Sequence, residues 1–526
     1  MTVWLLGDQL NPNAAPLQHD DHVLMIEAHG FAERMPYHPQ KLTLVFSAMR
    51  HARDALRDAG YEVTYVEAES FGEGLDRYFE ANPGDALVLQ RPASHRAGER
   101  LRDMVVDRGG DCTLVANDGF LTTPDDWDEW VADRGSGGSA GGDAGTYRQE
   151  HWYRHVRRET GILIDGGDPV GGEWNYDDDN RETPPDGWSP PGIPEFEPDE
   201  ITREVHAFVT DRYDDHWGSD DLEAFVWPVT REQALHALEH FVEVRLPEFG
   251  PYQDAMVEGE WALDHSLLSP AINLGLLHPR EVVEAAVDAY RDGDAAGEDD
   301  GDTVDDGDPA VPLNSVEGFV RQVIGWREFM RHVYRESMPG MDEANQLDQT
   351  EPLPEAYWTG ETEMTCLSEA VGHVHEHGYA HHIERLMVLS NFALIYGVDP
   401  HELNRWFHLG FVDAFHWVTT PNVVGMGSFA TDALSSKPYA SSANYVNRMS
   451  DYCSSCPYYH TKTTGEGSCP FNALYWDFLR DNEEVLRGTG RMGLMYSHVD
   501  DKDEAEWAAI EDRAAEIREM GENGTL

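Results

Sequence analysis

Three cysteines cluster as Cys453-x2-Cys456-x12-Cys469, and Pro470 follows the last. Thiolates are soft ligands, and a CxxC pair puts two of them on one side of a metal. A fourth ligand is needed, and Cys366 is nearer in sequence than the lone Cys112. The spacing leaves two chemistries open: a structural zinc site with four thiolates, or an iron–sulfur cluster. Proline after the last cysteine also occurs in some ferredoxin-type cluster motifs.

A second constellation is His381-His382-Ile383-Glu384-Arg385, with His373, His375 and His377 just before it. On one continuous helix His373, His377 and His381 would share a face and could bind a metal, although such a face is more often simply polar. His382 beside Arg385 has the makings of a proton donor, because histidine titrates near physiological pH. Gly488-Thr-Gly490-Arg-Met-Gly493 satisfies the dinucleotide pattern GxGxxG letter by letter. It lacks a preceding strand, so it reads as a loop. Gly7-Asp8-Gln9-Leu10 does follow a strand, where an α/β sheet opens its ligand crevice. Trp326, Trp358, Trp406, Trp417 and Trp476 populate the second half of the chain, and by spacing alone each reads as core packing.

These residues need elements to hold them. VWLLGDQL (Val3–Leu10), HVLMIEA (His22–Ala28), LTLVFS (Leu42–Ser47), YEVTYVEA (Tyr61–Ala68), DALVLQ (Asp85–Gln90) and CTLVAND (Cys112–Asp118) read as strands, and Ser47–Ala59 as a helix. Short apolar strands alternating with amphipathic stretches predict an α/β domain with a doubly wound parallel sheet over residues 1–134. The Gly/Ser-rich run Gly135–Gly145 and the Pro/Asp-rich stretch Asp177–Asp199 place an interdomain connection at 135–200. From 201 to 526 helical periodicity dominates and predicts a larger all-α domain. Arg291–Pro312, rich in Gly, Asp and Glu, is expected to be a solvated surface loop.

The 526 residues carry 99 Asp and Glu against 38 Lys and Arg, a formal charge of −61, with lysine only at 41, 437, 462 and 502. Such a field repels nucleic acid over long range and argues against an ordinary basic DNA-binding protein at low salt. It does not imply disorder, because 40% of the residues are apolar and 15 Trp, 21 Tyr and 19 Phe can build a core. The cytoplasm of a halophile reconciles the two: above about 1 M salt the Debye length falls below roughly 3 Å, and surface carboxylates hardly feel one another. There is no apolar run of membrane-spanning length and no basic, leader-like start at Met1–Leu10. The protein is therefore expected to be cytoplasmic, off the membrane, and a monomer.

Several strings taken together resemble the iron–sulfur bacterial cryptochromes and photolyases, the branch of the photolyase/cryptochrome superfamily that includes the prokaryotic (6-4) photolyases. They are GDQL at Gly7, FSAMRH at Phe46, PVGGEWNYDDDNR at Pro169, HSLLSPAINLGLL at His265 and EGFVRQVIGWREFMR at Glu317. YWTG at Tyr357, YAHHIERLM at Tyr379, PNVVGM at Pro421, KPYASSANYVNRMSDYC at Lys437 and CPFNALYWDF at Cys469 continue them in order to near the C-terminus. The resemblance implies an N-terminal antenna domain joined to a helical FAD domain. It implies that Cys366, Cys453, Cys456 and Cys469 hold a [4Fe-4S] cluster. Ser266-Leu267-Leu268-Ser269 matches the segment that holds the FAD phosphates, and Arg327, Arg385 and Asp413 match positions around the flavin. Thr419 falls near the place facing flavin N5.

By the same resemblance Trp358 and Trp406 match electron-transfer tryptophans, and the tyrosine that often follows the second in relatives is Phe407 here. Tyr439 and Tyr445 match lesion-pocket tyrosines. His382, with His381 beside it, matches the histidine proposed to protonate a (6-4) lesion. The antenna chromophore of the branch is 6,7-dimethyl-8-ribityllumazine. Asp8 and Gln9 suit its site, and the acid near its ring is expected to be Glu27 or Glu33. The implied activity is light-driven repair of UV-damaged DNA, most naturally of (6-4) photoproducts, with backbone contacts from local arginines such as Arg331 and Arg448. Two rival readings are a cryptochrome-type blue-light receptor without repair, which would use the same cofactors, and a zinc-stabilised α/β nucleotide-binding protein.

Overall fold

The computed structural model describes residues 1–526 except Asp20, 137–146, Asp186, 298–310, Ser436 and 489–491. Five parallel strands form one sheet in the order β3–β2–β1–β4–β5. They are β1 (Thr2–Leu5), β2 (His22–Ala28), β3 (Glu62–Ala68), β4 (Ala86–Gln90) and β5 (Asp111–Val115). β1 is central: Val3 pairs with Val23 on one side and with Val88 on the other. α1 (Pro39–Asp58) covers one face, packing Leu44, Ala48 and Met49 with Val23 and Met25. α2 (Phe71–Ala81) and α3 (Ala97–Val106) cover the other, with Leu75, Tyr78 and Val105 against Trp4 and Leu24. Burial on both faces explains why the central strands read as unbroken apolar runs.

Five of the six expected strands are present, and β1 stops at Leu5, so Gly7–Leu10 is a turn. The sixth, Leu42–Ser47, is instead the N-terminal half of α1. Pro39 starts that helix, and the His38 ring accepts a hydrogen bond from the Gln40 amide at 3.2 Å. A short apolar run fits a buried strand or a buried helix equally well. Here α1 is wedged between the sheet and the helical half, so Leu42, Thr43, Leu44, Phe46 and Ser47 are all buried and no polar face betrays the helical period. Arg291–Gly297 likewise continues a helix, Pro279–Gly297, where a loop was expected. The rest of that acidic stretch to Ala310, most of Gly135–Gly145, and Gly490 lie outside the described residues.

Helices α4 (Pro124–Ser136) and α5 (Gln149–Thr160) pack their tryptophans away from the sheet, Trp127 stacking on His332 at 5.0 Å and Trp152 lying edge-on to it at 5.3 Å. After an irregular stretch, α6 (Glu200–Arg212) lies along α1, and the remainder is helical apart from isolated bridges. The start of α1 plugs into this helical half. The His38 amide donates to Leu409 O at 3.0 Å, Gln40 Nε2 to Glu376 O at 2.8 Å and Lys41 Nζ to Ala414 O at 2.7 Å. Burial pushes the Lys41 ammonium down to about 7. Among the described residues no helix is long and apolar enough to cross a membrane.

Glu27 ends β2 fully buried, taking hydrogen bonds from Arg50 (2.7 and 3.1 Å), His29 (2.9 Å) and the Tyr65 hydroxyl. Burial alone would raise its carboxyl, but these bonds and the Arg50 charge outweigh it and hold the group near 2, against an ordinary 4.5. The folded protein therefore binds fewer protons than the unfolded chain between those values, and this contribution to stability is present above pH 4.5 and lost as pH falls towards 2. Glu27→Gln should cost roughly 3 kcal/mol at pH 7 by leaving the partly buried Arg50 with only the exposed Glu67 at 3.5 Å. Thermal melts against pH should also show a shallower acid decline in the variant; an unchanged acid limb would remove Glu27 from the account.

Candidate functional site

The centre of the helical half is organised by Asp413. Arg385 grips its carboxylate through two nitrogens, each 3.0 Å from an oxygen, and the Ser269 hydroxyl donates to it at 2.6 Å. The Asp413 carbonyl accepts from Asn273 Nδ2 at 3.0 Å, and Asn273 Oδ1 in turn accepts from Arg327 Nε at 3.4 Å. The Arg385 guanidinium is clamped between Tyr379 and Phe411, at 4.8 and 4.3 Å from their rings. Arg385 and Arg327 both sit in π-helical turns, Glu384–Ser390 and Arg321–Arg327, where the extra residue re-aims a side chain. Thr419 is buried on the short helix His416–Thr420 just beyond Asp413.

Ser266–Ser269 forms a tight turn in which Leu267 takes a left-handed φ of 57° and Leu268 is right-handed at −88°. Alternating hands turn successive backbone N–H groups towards one concavity, the geometry that receives phosphate oxygens. The Ser269 hydroxyl is committed to Asp413 and is not free for a phosphate. Next to the turn lies a set of buried polar atoms without hydrogen-bond partners: Arg245 Nε and Nη1, both oxygens of Asp264, His265 Nε2 and both nitrogens of His381. Burial pushes the Asp264 carboxyl up to about 7 and the Arg245 guanidinium down to about 10. Each orphaned group costs about 1–3 kcal/mol unless something polar is brought to it. A dinucleotide with a pyrophosphate and a polar-edged ring supplies that complement, so these residues fit FAD.

His381 and His382 part company here. His381 is fully buried, stacked on His265 at 4.6 Å, and burial holds its imidazole down to about 4. It is neutral at physiological pH and is not a ready proton donor. His382 is partly exposed, edge-on to His265 at 5.2 Å, with Nε2 3.5 Å from Asp254 Oδ1. Asp254 was not singled out from the sequence, since only the fold brings it to His382. Burial and then the Asp254 charge push the Tyr445 hydroxyl above its ordinary range, and Arg448 lies over the Tyr445 ring at 5.5 Å. Tyr439 is half-buried in the segment leading to the helix Ala443–Met449, which carries Tyr445 and Arg448.

Arg331, expected on the surface, is turned inward: it covers Phe120 at 3.7 Å and donates to Thr122 O at 2.7 Å. Arg448 is exposed and remains the better phosphate contact. The His373/His377/His381 face does not exist either. The helix ends at Gly378 (φ 62°), His373 bonds Glu384 at 3.0 Å, and His377 stacks on Trp261 at 4.2 Å.

Cys366, Cys453, Cys456 and Cys469 line one recess with Met364, Tyr452 and Phe471. Burial raises the Cys366 thiol, and the other three cysteines raise it further, which is what four sulfurs sharing an apolar site without a metal must do. A tetrahedral zinc with Zn–S bonds of about 2.3 Å would draw its sulfurs to within roughly 4 Å of one another. Among the described residues no three of these sulfurs converge within 4.8 Å.

At the carboxyl edge of the sheet, where the strand order reverses between β1 and β4, a recess of about 410 Å3 opens against the helical half. Its walls include Asp8 and Gln9 after β1, Gln90 at the end of β4, Asn117 after β5, and Arg327 and Trp417 opposite. Desolvation pushes the Asp8 carboxyl up to about 6. Gly275 (φ 77°) lets the loop after the phosphate turn press on this edge, and the Leu10 amide donates to Leu274 O at 3.0 Å. Arg327 therefore faces this recess and reaches Asp413 only through Asn273. Neither Glu27 nor Glu33 lines it: Glu27 is locked to Arg50, and Glu33 pairs with Arg212 at 2.7 Å. Asp8 is the acid present.

Trp406 is fully buried beside Phe411 at 5.8 Å, and Trp358 is 38% exposed. Between them stands Trp217, which the sequence reading passed over; it carries no motif and stands outside every string that pointed to the site.

Residues 3–227 match the family described as deoxyribodipyrimidine photo-lyase-related protein. A (6-4) photolyase of Agrobacterium fabrum is 38% identical over 506 residues, covering 94% of each chain. The structure superposes on a bacterial class III photolyase from Agrobacterium tumefaciens with a TM-score of 0.53 at 17% identity, covering 85% of this chain and 86% of that one. A cryptochrome of Synechocystis superposes with a TM-score of 0.50 at 13% identity, over 81% and 82%. At these identities the two superpositions speak for the fold alone.

Asp413→Asn removes the charge that Arg385 and Ser269 share. The variant should lose roughly 3 kcal/mol of stability and release flavin at least tenfold more readily, read by thermal melting and by the flavin absorbance of the purified protein. Wild-type flavin content in a folded variant would show that Asp413 does not organise the chamber.

Proposed function

Since the chain belongs to the bacterial (6-4) photolyase branch of the photolyase/cryptochrome superfamily, we propose that it repairs (6-4) photoproducts in UV-damaged DNA with His382 as the proton donor. It is a DNA photolyase and a flavoprotein that binds FAD. The observation that carries the assignment of the site is His382 at the chamber mouth, 3.5 Å from the Asp254 carboxylate and next to Tyr445. Bound in the chamber, reduced FAD would supply light-driven one-electron chemistry to the lesion and would recover the electron at the end. The chain's part is to bind, orient and protonate.

Arg385 and Asp413 fix the polar edge of the flavin, and the Ser266–Ser269 turn takes its phosphates. The extruded lesion stacks against Tyr439 and Tyr445, each base–aromatic contact worth about 1–3 kcal/mol. His382 protonates the lesion from the solvent side, and Asp254, 3.5 Å away, holds its ring in place. Arg448 takes a neighbouring phosphate. Thr419 stands in the flavin wall beyond Asp413. Cys366, Cys453, Cys456 and Cys469 would hold a [4Fe-4S] cluster, which would supply a one-electron redox centre and tie together three segments of the helical domain. Asp8 and Gln9 would hold the antenna, 6,7-dimethyl-8-ribityllumazine, by its polar ring edge, with Trp417 at its side. The acidity supports a monomer working in a salt-rich cytoplasm.

An anaerobic assay at molar KCl with defined (6-4) and cyclobutane dimers tests the reading. The (6-4) lesion should revert in light and not in the dark. His382→Ala should lower that rate by roughly 10²–10⁴, the usual worth of general acid catalysis, while FAD photoreduction persists. Asp254→Asn should cost about tenfold in the repair rate by freeing the His382 ring. Bound flavin without repair of either lesion would make the protein a light receptor instead. Metal analysis should find iron and sulfide, both lost in Cys366→Ser; zinc in their place would overturn the cluster.

A further inference from the structure

Phe407 stands where relatives of this branch often carry tyrosine, next to the buried Trp406. A phenyl ring has no proton to lose and is far harder to oxidise than a phenol or an indole. It stacks on Phe411 at 4.8 Å and 5°, so the most obvious second station is replaced by an inert pair. Tyr357 also touches Trp406, at 5.2 Å, but it is fully buried and its hydroxyl donates to Leu389 O at 2.6 Å. A tyrosine gives up an electron readily only when a base takes its proton, and a backbone carbonyl is not such a base. Burial also pushes that hydroxyl well above its ordinary range.

A third aromatic neighbour has neither handicap. Trp217 lies edge-to-face with Trp406 at 5.5 Å and with Trp358 at 6.3 Å, and its Nε1 donates to the Trp358 carbonyl at 2.8 Å. Trp217 is half-buried, whereas Trp358 is 38% exposed. The three indoles thus form an unbroken series from the chamber to the solvent. An indole can be oxidised without first losing its proton, so no base is needed at the middle position. His38 and His375 also face Trp217, at 6.4 and 5.6 Å, and burial lowers the His38 imidazole, so that ring adds no charge that would oppose a cation there.

We propose that Trp217 is the middle station of the electron relay in this chain, carrying charge between Trp406 and Trp358 in place of the missing tyrosine. This rests on the flavoprotein reading above. In the photoreduction direction one electron leaves the Trp406 indole for the photoexcited oxidised flavin. Trp217 refills Trp406, and Trp358 refills Trp217. The hole left on Trp358 is filled by one electron from a soluble thiol, which is oxidised in turn. For each electron that arrives at the flavin, one is taken from the thiol, and all three indoles return to their starting state. Trp217 acts only through its neighbours and touches neither flavin nor DNA.

The test uses the purified holoprotein under anaerobic blue light with dithiothreitol as donor. Flavin content is measured first, so that loss of the cofactor is distinguished from loss of the relay. Trp217→Phe should retain its flavin, slow photoreduction at least tenfold and abolish the long-lived indole radical in transient absorption. Adding Phe407→Tyr to that variant should restore part of the rate. A wild-type rate in flavin-loaded Trp217→Phe overturns the relay and leaves the flavoprotein reading intact, whereas a wild-type protein without flavin overturns that reading itself. If Trp217→Phe does not fold, Trp358→Phe decides. Charge that still separates onto two indoles, recombining more slowly than in Trp406→Phe, supports Trp217. Separation confined to Trp406 refutes it.

Discussion

The functional half of the molecule depends on one buried carboxylate. Asp413 takes a bidentate grip from Arg385 and a hydroxyl from Ser269, while its carbonyl holds Asn273 and the next carbonyl holds Lys41. Those four partners come from the short helix Ser269–Asn273, the π-turn after the histidine pair and the first helix of the α/β domain. A buried charge is tolerated only when its partners are all in place, so the segments must assemble together. The same interaction that shapes the chamber therefore docks the sheet domain against it.

From this hub two routes lead outward. Through Asn273 and Arg327 it reaches the recess at the reversal of strand order, where Asp8 and Trp417 face each other. Through Arg385 and Phe411 it reaches Trp406 and the row of indoles. The architecture offers three different surroundings: a cleft beside the sheet, an apolar interior, and a half-open mouth with ionisable groups. The charge of −61 is compatible with a DNA substrate on these terms, because the mouth carries Arg448 beside the aromatic rings. Phosphate contacts weaken as salt rises, whereas stacking does not depend on counterion release.

Much of the fold could be read in the chain because its signals are local. Alternating apolar strands and helices announced a parallel sheet, and five strands lie where the pattern put them. The failure at Leu42–Ser47 has a definite cause. An element buried on every side loses the polar face by which its period is recognised, and only the His38–Pro39 start and the docking of α1 make it a helix. The helical face drawn through His373, His377 and His381 failed for the opposite reason, since a single left-handed glycine at 378 breaks the register that spacing had assumed.

What the sequence determined by itself was chemistry carried by residue type. It supplied cysteines at a spacing suited to a soft metal, a histidine pair beside an arginine, aromatic rings in number, and an acidic composition with almost no lysine. Ordered strings added the family. That His381 is buried while His382 lies half-open beside a carboxylate 128 positions away was decided only by the tertiary structure. So was the turning of Arg331 inward, the direction Arg327 faces, and the insertion of Trp217 between two tryptophans far from it in sequence. Reactivity depends on desolvation and on neighbours, and both are properties of packing that no stretch of chain contains.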